Sequence, residues 1–338
     1  MASRQAKGLT TAHDDRARYR KWVSPILGVK PVTRFVQRDI EEVVQHLDRE
    51  VLAGSLSWKT AVNVWGVVTK MCADMTRSKV LSIRVREDNP ARDVQGPDRG
   101  VERSGPYLYP SEFEAMMRCD RVPVRWRRIF MLAVYTYTRG GELEALEWNS
   151  VDFEHGYILI HQSADADTGE LKSTKTKDVR KVPIEKELLP LLRKMHGEAG
   201  GEGRVVVMPP REEWADRLRK YLEWSGVKRA DLFADDDTRR PISFHDLRHT
   251  GITWRAIRGD DLLKIQRAAG HDDSKTTQRY INEAETFEGQ SFGEPFPTVP
   301  LSLLSIFGSN SGFVAVGNSR TQGFSRANER PQRDLNPR

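Results

Sequence analysis

Apolar residues recur three and four positions apart along most of this chain, and residues 151–184 replace that rhythm with alternation. Val36, Ile40, Val43, Val44 and Leu47 keep the helical spacing, as do Trp58, Val62, Trp65, Val68, Cys72 and Met75. Each set lines one face of a helix in a small bundle. Helical patterns return over 126–134, 142–148, 186–195, 212–224, 243–258, 262–269 and 274–284. Between them, VDFEHGYILIHQS (151–163) alternates and is rich in β-branched residues, and LKSTKTKDVRKVPI (171–184) follows a polar turn. Together these two stretches predict a β-hairpin or a three-stranded unit. The expected fold is mainly α with a small β-sheet (α+β).

Punctuation divides the chain further. Residues 1–15 have the character of a flexible tail and 16–92 that of a helical domain, which Asn89-Pro90 closes because a residue before proline leaves the helical basin. The polar, Gly- and Pro-containing stretch 93–106 is expected to be a linker without an apolar anchor. A second domain spans 107–290, with Ser111 and Glu114 expected as its first capping box. Residues 291–338, rich in Gly, Ser and Asn, are expected to be a disordered or subunit-docking tail whose one apolar patch is VPLSLLSIF (299–307).

Charge is distributed unevenly. Residues 1–92 hold 17 basic and 10 acidic side chains, and the rest of the chain balances to within one, so the net charge of +6 belongs to the N-terminal part. A basic domain beside a near-neutral one suits a clamp for a polyanion. No apolar run reaches the roughly 20 residues that span a bilayer, and the N-terminus lacks the apolar segment of a secretory signal. A cytoplasmic protein with no membrane partner is expected. Cys72 and Cys119 lie among helical apolar residues and are expected to be buried thiols.

Three polar segments interrupt the apolar periodicity. TRGGELEAL places Arg139 at a helix start, where a cation opposes the macrodipole and an anion is welcome; Glu142 is its nearest counter-charge. FHDLRHT places His245 and Arg248 on one face behind a capping box of Ser243 and Asp246, with His249 near that face. AGHDDSKTTQRY places His271 nine residues before Tyr280.

In order and spacing these segments resemble the tyrosine recombinases, the family of phage integrases and of the Xer and Cre recombinases. The family's Arg-x-Gly-Glu-Leu box matches Arg139, Gly141, Glu142 and Leu143; its His-x-x-Arg box matches His245 and Arg248; its Gly-His turn and tyrosine match Gly270, His271 and Tyr280. A hairpin lysine eight residues before a Val-Pro proline is usual there; in this chain it is Lys175, with Lys172 and Lys177 as neighbours in register. The resemblance covers about 16–290. It departs where the family often has Gly-Leu or Gly-Met before the first arginine: this chain has Tyr137-Thr138, a change expected to touch packing alone. About 15 residues precede the helical region, so the extra N-terminal DNA-binding domain of the larger phage integrases is expected to be absent.

The resemblance implies an N-terminal helical core-binding domain and a C-terminal mixed catalytic domain, which act on double-stranded DNA at specific attachment sites. It also implies a tetramer assembled on DNA, accessory DNA-bending or directionality factors, and no cofactor. Tyr280 would attack a phosphodiester to form a 3′-phosphotyrosine. Arg139 and Arg248 would hold the non-bridging oxygens with donors that do not lose their charge. Lys175 would protonate the leaving 5′ oxygen, His245 would orient the phosphate and take the tyrosine proton, and His271 would donate a hydrogen bond to phosphate. Lys59 and Asn63 are candidates for base reading by analogy.

Three alternatives remain at this point: a type IB topoisomerase of similar chemistry, a DNA-binding regulator that does not cut, and a metal site made of His245, His249 and His271 at helical ligand spacing. The first two share the DNA partner. The third differs in one measurable respect, because fixed guanidinium donors need no metal. Strand cleavage is expected to proceed at full rate in excess chelator, measured as the yield of protein-linked DNA; a loss restored by added zinc would return the metal reading.

Overall fold

The computed structural model describes residues 11–101, 103, 105–166, 168–173, 179–236, 238–286 and 292–305. Its contacts divide the chain into two units, residues 1–107 with 228–246, and residues 108–227 with 247–338.

The first unit opens with α1 (Thr11–Arg18), a π-helical turn (Tyr19–Val23) and α2 (Ser24–Leu27). Residues 11–15, expected in the flexible tail, are therefore helical. Ala12 and Asp15 are buried there, and Arg18 Nη1 reaches Asp15 Oδ1 at 3.2 Å. Helix α3 (Gln37–Leu52) is capped by Asp39, whose carboxylate accepts from the Val36 N–H at 2.8 Å and from Lys30 Nζ at 2.6 Å. Helix α4 (Trp58–Arg77) is capped by the Ser57 hydroxyl, which accepts from the Thr60 N–H.

Ile40, Val43 and Leu47 of α3 meet Ala61, Val64, Val68, Cys72 and Met75 of α4 in one core. Each of the larger side chains contributes about 2 kcal/mol on leaving water. Val36 and Val62 of the expected faces point away from it: Val36 stands outside α3 and is 53% exposed, and Val62 is 41% exposed. The α4 stripe runs instead through 61, 64, 68, 72 and 75, and the indoles of Trp58 and Trp65 flank it. Trp58 Nε1 donates to the Val101 carbonyl at 2.8 Å, Gly96 lies against the Trp65 indole, and Val94 packs on the core. The stretch expected to be a linker without an anchor thus covers two tryptophans of this unit. Lys59 and Asn63 are exposed on α4.

In the second unit, α5 (Pro110–Arg118) begins before the expected cap. Pro110 takes the first helical position, where no N–H is needed, and Glu112 accepts from the Tyr109 N–H at 2.8 Å. Cys119 ends this helix half-buried, with its thiol on the Trp224 carbonyl, and is not the buried thiol expected. Helix α6 (Val124–Thr136) is buried almost all round, and α7 (Gly140–Ala145) follows. The strands are β1 (Val151–Asp152), β2 (Tyr157–Ile160), β3 (Gln162–Ala164), β4 (Leu171–Ser173) and β5 (Arg180–Pro183). They form an antiparallel sheet in the order β1-β2-β5 and a separate β3-β4 pair. Ile158 pairs with Val182 and Ile160 with Arg180, so the two-residue period turns Arg180 to the buried side with Val182.

Helices α8 (Leu189–Glu198) and α9 (Glu213–Trp224) follow, and then α10 (His245–Ile257), α11 (Leu262–Ala269) and α12 (Ser274–Glu285). The boundary between the units falls inside α10, after Asp246. Residues 292–305, placed in the tail by sequence, pack within the second unit. Phe296 stands edge-on to Tyr135 and Trp254, the Tyr135 hydroxyl donates to the Pro297 carbonyl, and Leu303 of the short α13 (Leu301–Leu304) is buried. The rest of that apolar patch, and the tail beyond residue 305, lie outside the described residues. No helix among the described residues is long and apolar enough to cross a membrane.

Two backbone features bring α6 and α10 together. Tyr137 caps α6 in the left-handed region, with φ 46° and ψ 31°, although its side chain is bulky and buried. The substitution expected to affect packing alone therefore also loads the backbone, at a cost of about 1–3 kcal/mol. The surroundings hold it: its hydroxyl donates to Glu185 Oε1 at 3.0 Å and the Arg255 guanidinium lies over its ring. Opposite, a Cβ on Gly251 would lie 1.9 Å from the Val134 carbonyl oxygen and 2.8 Å from the Tyr137 ring. Gly251→Ala is expected to destabilise the protein by about 3 kcal/mol, the upper end of overpacking costs, measured by denaturant unfolding of the second unit's tryptophans.

Candidate active site

The sequence-predicted residues of this site that are described, Arg139, His245, Arg248, His271 and Tyr280, lie in helices or at their ends. Arg139 is the residue before α7. Its N–H donates to Glu142 Oε2 at 2.7 Å and its Nη1 to Glu142 Oε1 at 2.9 Å, so one carboxylate caps the helix and holds the guanidinium. Its Nη2 reaches the Gly270 carbonyl at 3.2 Å, and the side chain remains 47% exposed. Arg248 lies in the second turn of α10 and is buried. Its Nη1 donates to the Tyr137 carbonyl and its Nη2 to the Ala269 carbonyl, both at 2.5 Å. The left-handed turn at Tyr137 is what presents the first of these carbonyls.

His271 follows the αL residue Gly270 (φ 67°), which ends α11. A side chain at Gly270 would be strained by that angle, and its Cβ would press on the Arg180 side chain at 3.0 Å. His271 Nδ1 is 2.9 Å from the Thr277 hydroxyl, and its ring stacks on that of Tyr280 with an interplanar angle of 11°. Tyr280, in the second turn of α12, is buried, and its hydroxyl lies 2.8 Å from His249 Nδ1. His245 is the exposed first residue of α10, behind the Ser243–Asp246 box, in which the Ser243 N–H and hydroxyl both donate to Asp246 Oδ2. Lys175 and Lys177 lie outside the described residues; Lys172, on β4, pairs with Asp165 at 2.5 Å.

Two residues that sequence reasoning did not assign to the site lie at its centre. Arg180, on β5, is 5% exposed at its side chain and makes a paired contact with Glu142, Nη1 to Oε1 at 2.9 Å and Nη2 to Oε2 at 2.6 Å. Its Nε donates to the Ala268 carbonyl at 2.9 Å, one turn before His271. The alternation of β5 was the signal available, since it sets a cation on a strand's inner face across from Ile160. The second is His249, weighed from sequence only as a neighbour of His245 and as a metal ligand. Among the described residues no group of three His, Cys, Asp or Glu is placed to hold a metal ion.

The electrostatics follow from this packing. Burial acts to raise the Glu142 carboxyl, but the hydrogen bonds and charges of Arg180 and Arg139 outweigh it and hold the group down to about 2. Burial, then Arg248, Arg139, His249 and Arg180, push His271 down to about 4, so at neutral pH it is an uncharged imidazole. Burial and the neighbouring Arg139 lower Arg248 to about 10, which leaves it charged, and Arg248 is electrostatically coupled to Tyr280. Three guanidinium groups around one carboxylate leave a positive site beside a buried tyrosine hydroxyl. Such a site accepts a phosphate without a metal.

The profile described as the phage integrase family matches residues 106–286. The chain belongs to the phage integrase family. It is a tyrosine recombinase, an enzyme that cleaves and rejoins DNA. Among its relatives, the ICEBs1 integrase of Bacillus subtilis is 24% identical over 76% of this chain and 69% of its own length. A tyrosine recombinase XerC of Lactobacillus delbrueckii is 25% identical over 59% of this chain and 65% of its own length. The Tn1549 transposon integrase, solved in complex with a circular intermediate DNA, superposes with a TM-score of 0.61 at 17% identity over 85% of this chain and 96% of that one. A lambda integrase tetramer bound to a Holliday junction gives 0.54 at 16% identity over 82% and 72%. At these identities the structural likeness carries the fold.

Within this family member the Arg180–Glu142 pair has a measurable signature. The Glu142 carboxyl titrates near 4.5 when free and near 2 in the fold, so the stabilisation it gives is complete above pH 4.5 and is lost as pH falls towards 2. His271, lowered from 6.5 to about 4, adds a loss over that higher window, because a neutral buried imidazole must be charged. Arg180→Met is expected to cost about 3 kcal/mol by stranding a buried carboxylate and to move acid unfolding to higher pH. Arg180→Met/Glu142→Gln is expected to recover part of that loss, measured by urea unfolding from pH 3 to pH 7.

Proposed function

We propose that this chain is the integrase of a mobile DNA element, which binds double-stranded DNA at specific attachment sites and breaks one strand with Tyr280. One observation carries the residue-level reading: the Tyr280 hydroxyl is buried against His249 at 2.8 Å, its ring stacked on His271, within electrostatic reach of Arg248. A tyrosine kept only for packing needs none of these partners.

The roles follow from charge and placement. Arg139 and Arg248 take the non-bridging oxygens of the scissile phosphate and stabilise the charge that builds there. Neutral His271 donates a hydrogen bond to the same group. His245, exposed at the start of α10, orients the phosphate. Attack by Tyr280 Oη forms the P–O bond and breaks the bond to the 5′ oxygen, which Lys175 protonates. The phosphotyrosine conserves the bond energy, so a 5′ hydroxyl religates the strand without a nucleotide cofactor. When that hydroxyl comes from a second duplex, strands are exchanged. Two duplexes cut at both strands require four copies of Tyr280, hence a tetramer on DNA, with accessory bending or directionality factors as further partners. The basic N-terminal unit supplies phosphate contacts, whose affinity falls steeply with salt.

The test exposes wild type and Tyr280→Phe to fragmented host and element DNA, denatures with detergent and sequences the DNA that stays attached. Wild type is expected to retain DNA through its 3′ phosphate and the variant to retain none. Equal retention by the two proteins would move the nucleophile elsewhere, and no retention by either on nicked suicide duplexes would leave a protein that binds without cutting.

A further inference from the structure

We infer that His249 is a further catalytic residue, the proton acceptor of Tyr280, and that His245 has no part in that proton transfer; this rests on the strand-cleavage reading above. The geometry is direct. His249 Nδ1 lies 2.8 Å from the Tyr280 hydroxyl oxygen, within the reach a general base needs, and the two ring centroids are 5.3 Å apart. His245 lies one helical turn earlier on α10 and is exposed, whereas His249 is half-buried and directly follows Arg248.

The surroundings leave His249 as the base that meets the hydroxyl. His271, the other imidazole beside Tyr280, stacks on the phenol ring and has Nδ1 turned to the Thr277 hydroxyl. Charged groups that act on Arg248 and His271 beside this pair include Arg248 itself on α10, Arg139 before α7, Arg180 on β5 and Glu142 on α7. The three guanidinium groups cannot accept a proton, and Glu142 is held ionised by two of them. In the reaction the Tyr280 O–H bond breaks as Oη bonds to phosphorus. The proton passes to Nδ1 of His249 and makes an imidazolium, while the 5′ oxygen departs with a proton from the acid. On religation the 5′ hydroxyl attacks as its proton returns to the deprotonated acid, Oη leaves, and the imidazolium returns its proton to Oη. No proton or electron is left over. The same histidine is then base in cleavage and acid in rejoining, two roles that one imidazole can fill.

The test follows single-turnover formation of the covalent adduct on a nicked duplex carrying the sequence recovered with wild type, from pH 5 to pH 9. His249→Gln keeps the volume and a hydrogen bond to the hydroxyl but cannot take the proton. It is expected to slow cleavage at pH 7 by about 100-fold or more and to lose the acid-side inflection of the wild-type profile, with unchanged DNA binding and thermal unfolding. His245→Gln is expected to keep that inflection at a lower rate. Added imidazole is expected to restore adduct formation in His249→Ala, which a purely structural role would not allow. A His249→Gln profile with the wild-type rate and inflection, or loss of the inflection in His245→Gln instead, overturns the assignment. If His249→Gln fails to fold, the imidazole arm decides: no rescue overturns it. A wild type without any Tyr280-dependent adduct overturns the strand-cleavage reading itself, and this proposal with it.

Discussion

The buried carboxylate of Glu142 is the interaction on which the rest of the site depends. Almost no water reaches it, so its charge survives only because Arg180 meets it with two parallel hydrogen bonds and Arg139 with two more. Each partner then fixes something else. Arg180 spends its remaining Nε on the Ala268 carbonyl and underlies Gly270, which sets the turn that carries His271. Arg139 is tethered at both its N–H and its guanidinium, yet its side chain stays half open to solvent. A strand, a helix start and a helix end are thus held in one arrangement by one acidic group. Buried ion pairs seldom add net stability over apolar packing; what this one supplies is the relative placement of cations that repel one another.

Around that pair the protein keeps a positive centre built from guanidinium groups. Arg139, Arg180 and Arg248 outweigh Glu142, and burial, with their field added to it, keeps His271 neutral. The backbone is loaded to the same end. Tyr137 sits in the left-handed region where glycine is at ease, and its carbonyl receives Arg248. The strain is offset by a buried phenol, a hydrogen bond to Glu185 and the Arg255 guanidinium over the ring. Close approach of α6 and α10 at Gly251 leaves no room for the turn to relax. Donors fixed in this way need little reorganisation when charge develops on a bound phosphate, which is the physical content of preorganisation.

Much of this was legible in the chain. Helical spacing located α11 to the residue and α12 to within one, because amphipathic periodicity reports on burial directly. The capping box of Ser243 and Asp246 could be read for the same reason, since both partners are three residues apart. Arg139, His245, Arg248, His271 and Tyr280 stood out as polar groups interrupting apolar faces. Arg180 did not, because its one local mark, a place in phase with Val182 on β5, is shared with ordinary surface cations in a hairpin holding several lysines; its pairing with Ile160 and the approach of α7 turn it inward. His249 was visible as a second histidine on the helix, but its partner lies 31 residues away on α12. Residues 94–101 and 292–305 were misjudged as linker and tail for a related reason: the indoles and aromatic rings they cover belong to other segments.

The sequence by itself determined most of the elements, their order and the polar residues that interrupt their apolar faces, because each rests on local spacing, capping or side-chain chemistry. Tertiary structure decided which histidine touches the Tyr280 hydroxyl, which arginine anchors Glu142 and how far the backbone is strained at Tyr137. Those are contacts between residues far apart in the chain, and their energies exist only once the helices and the sheet have packed.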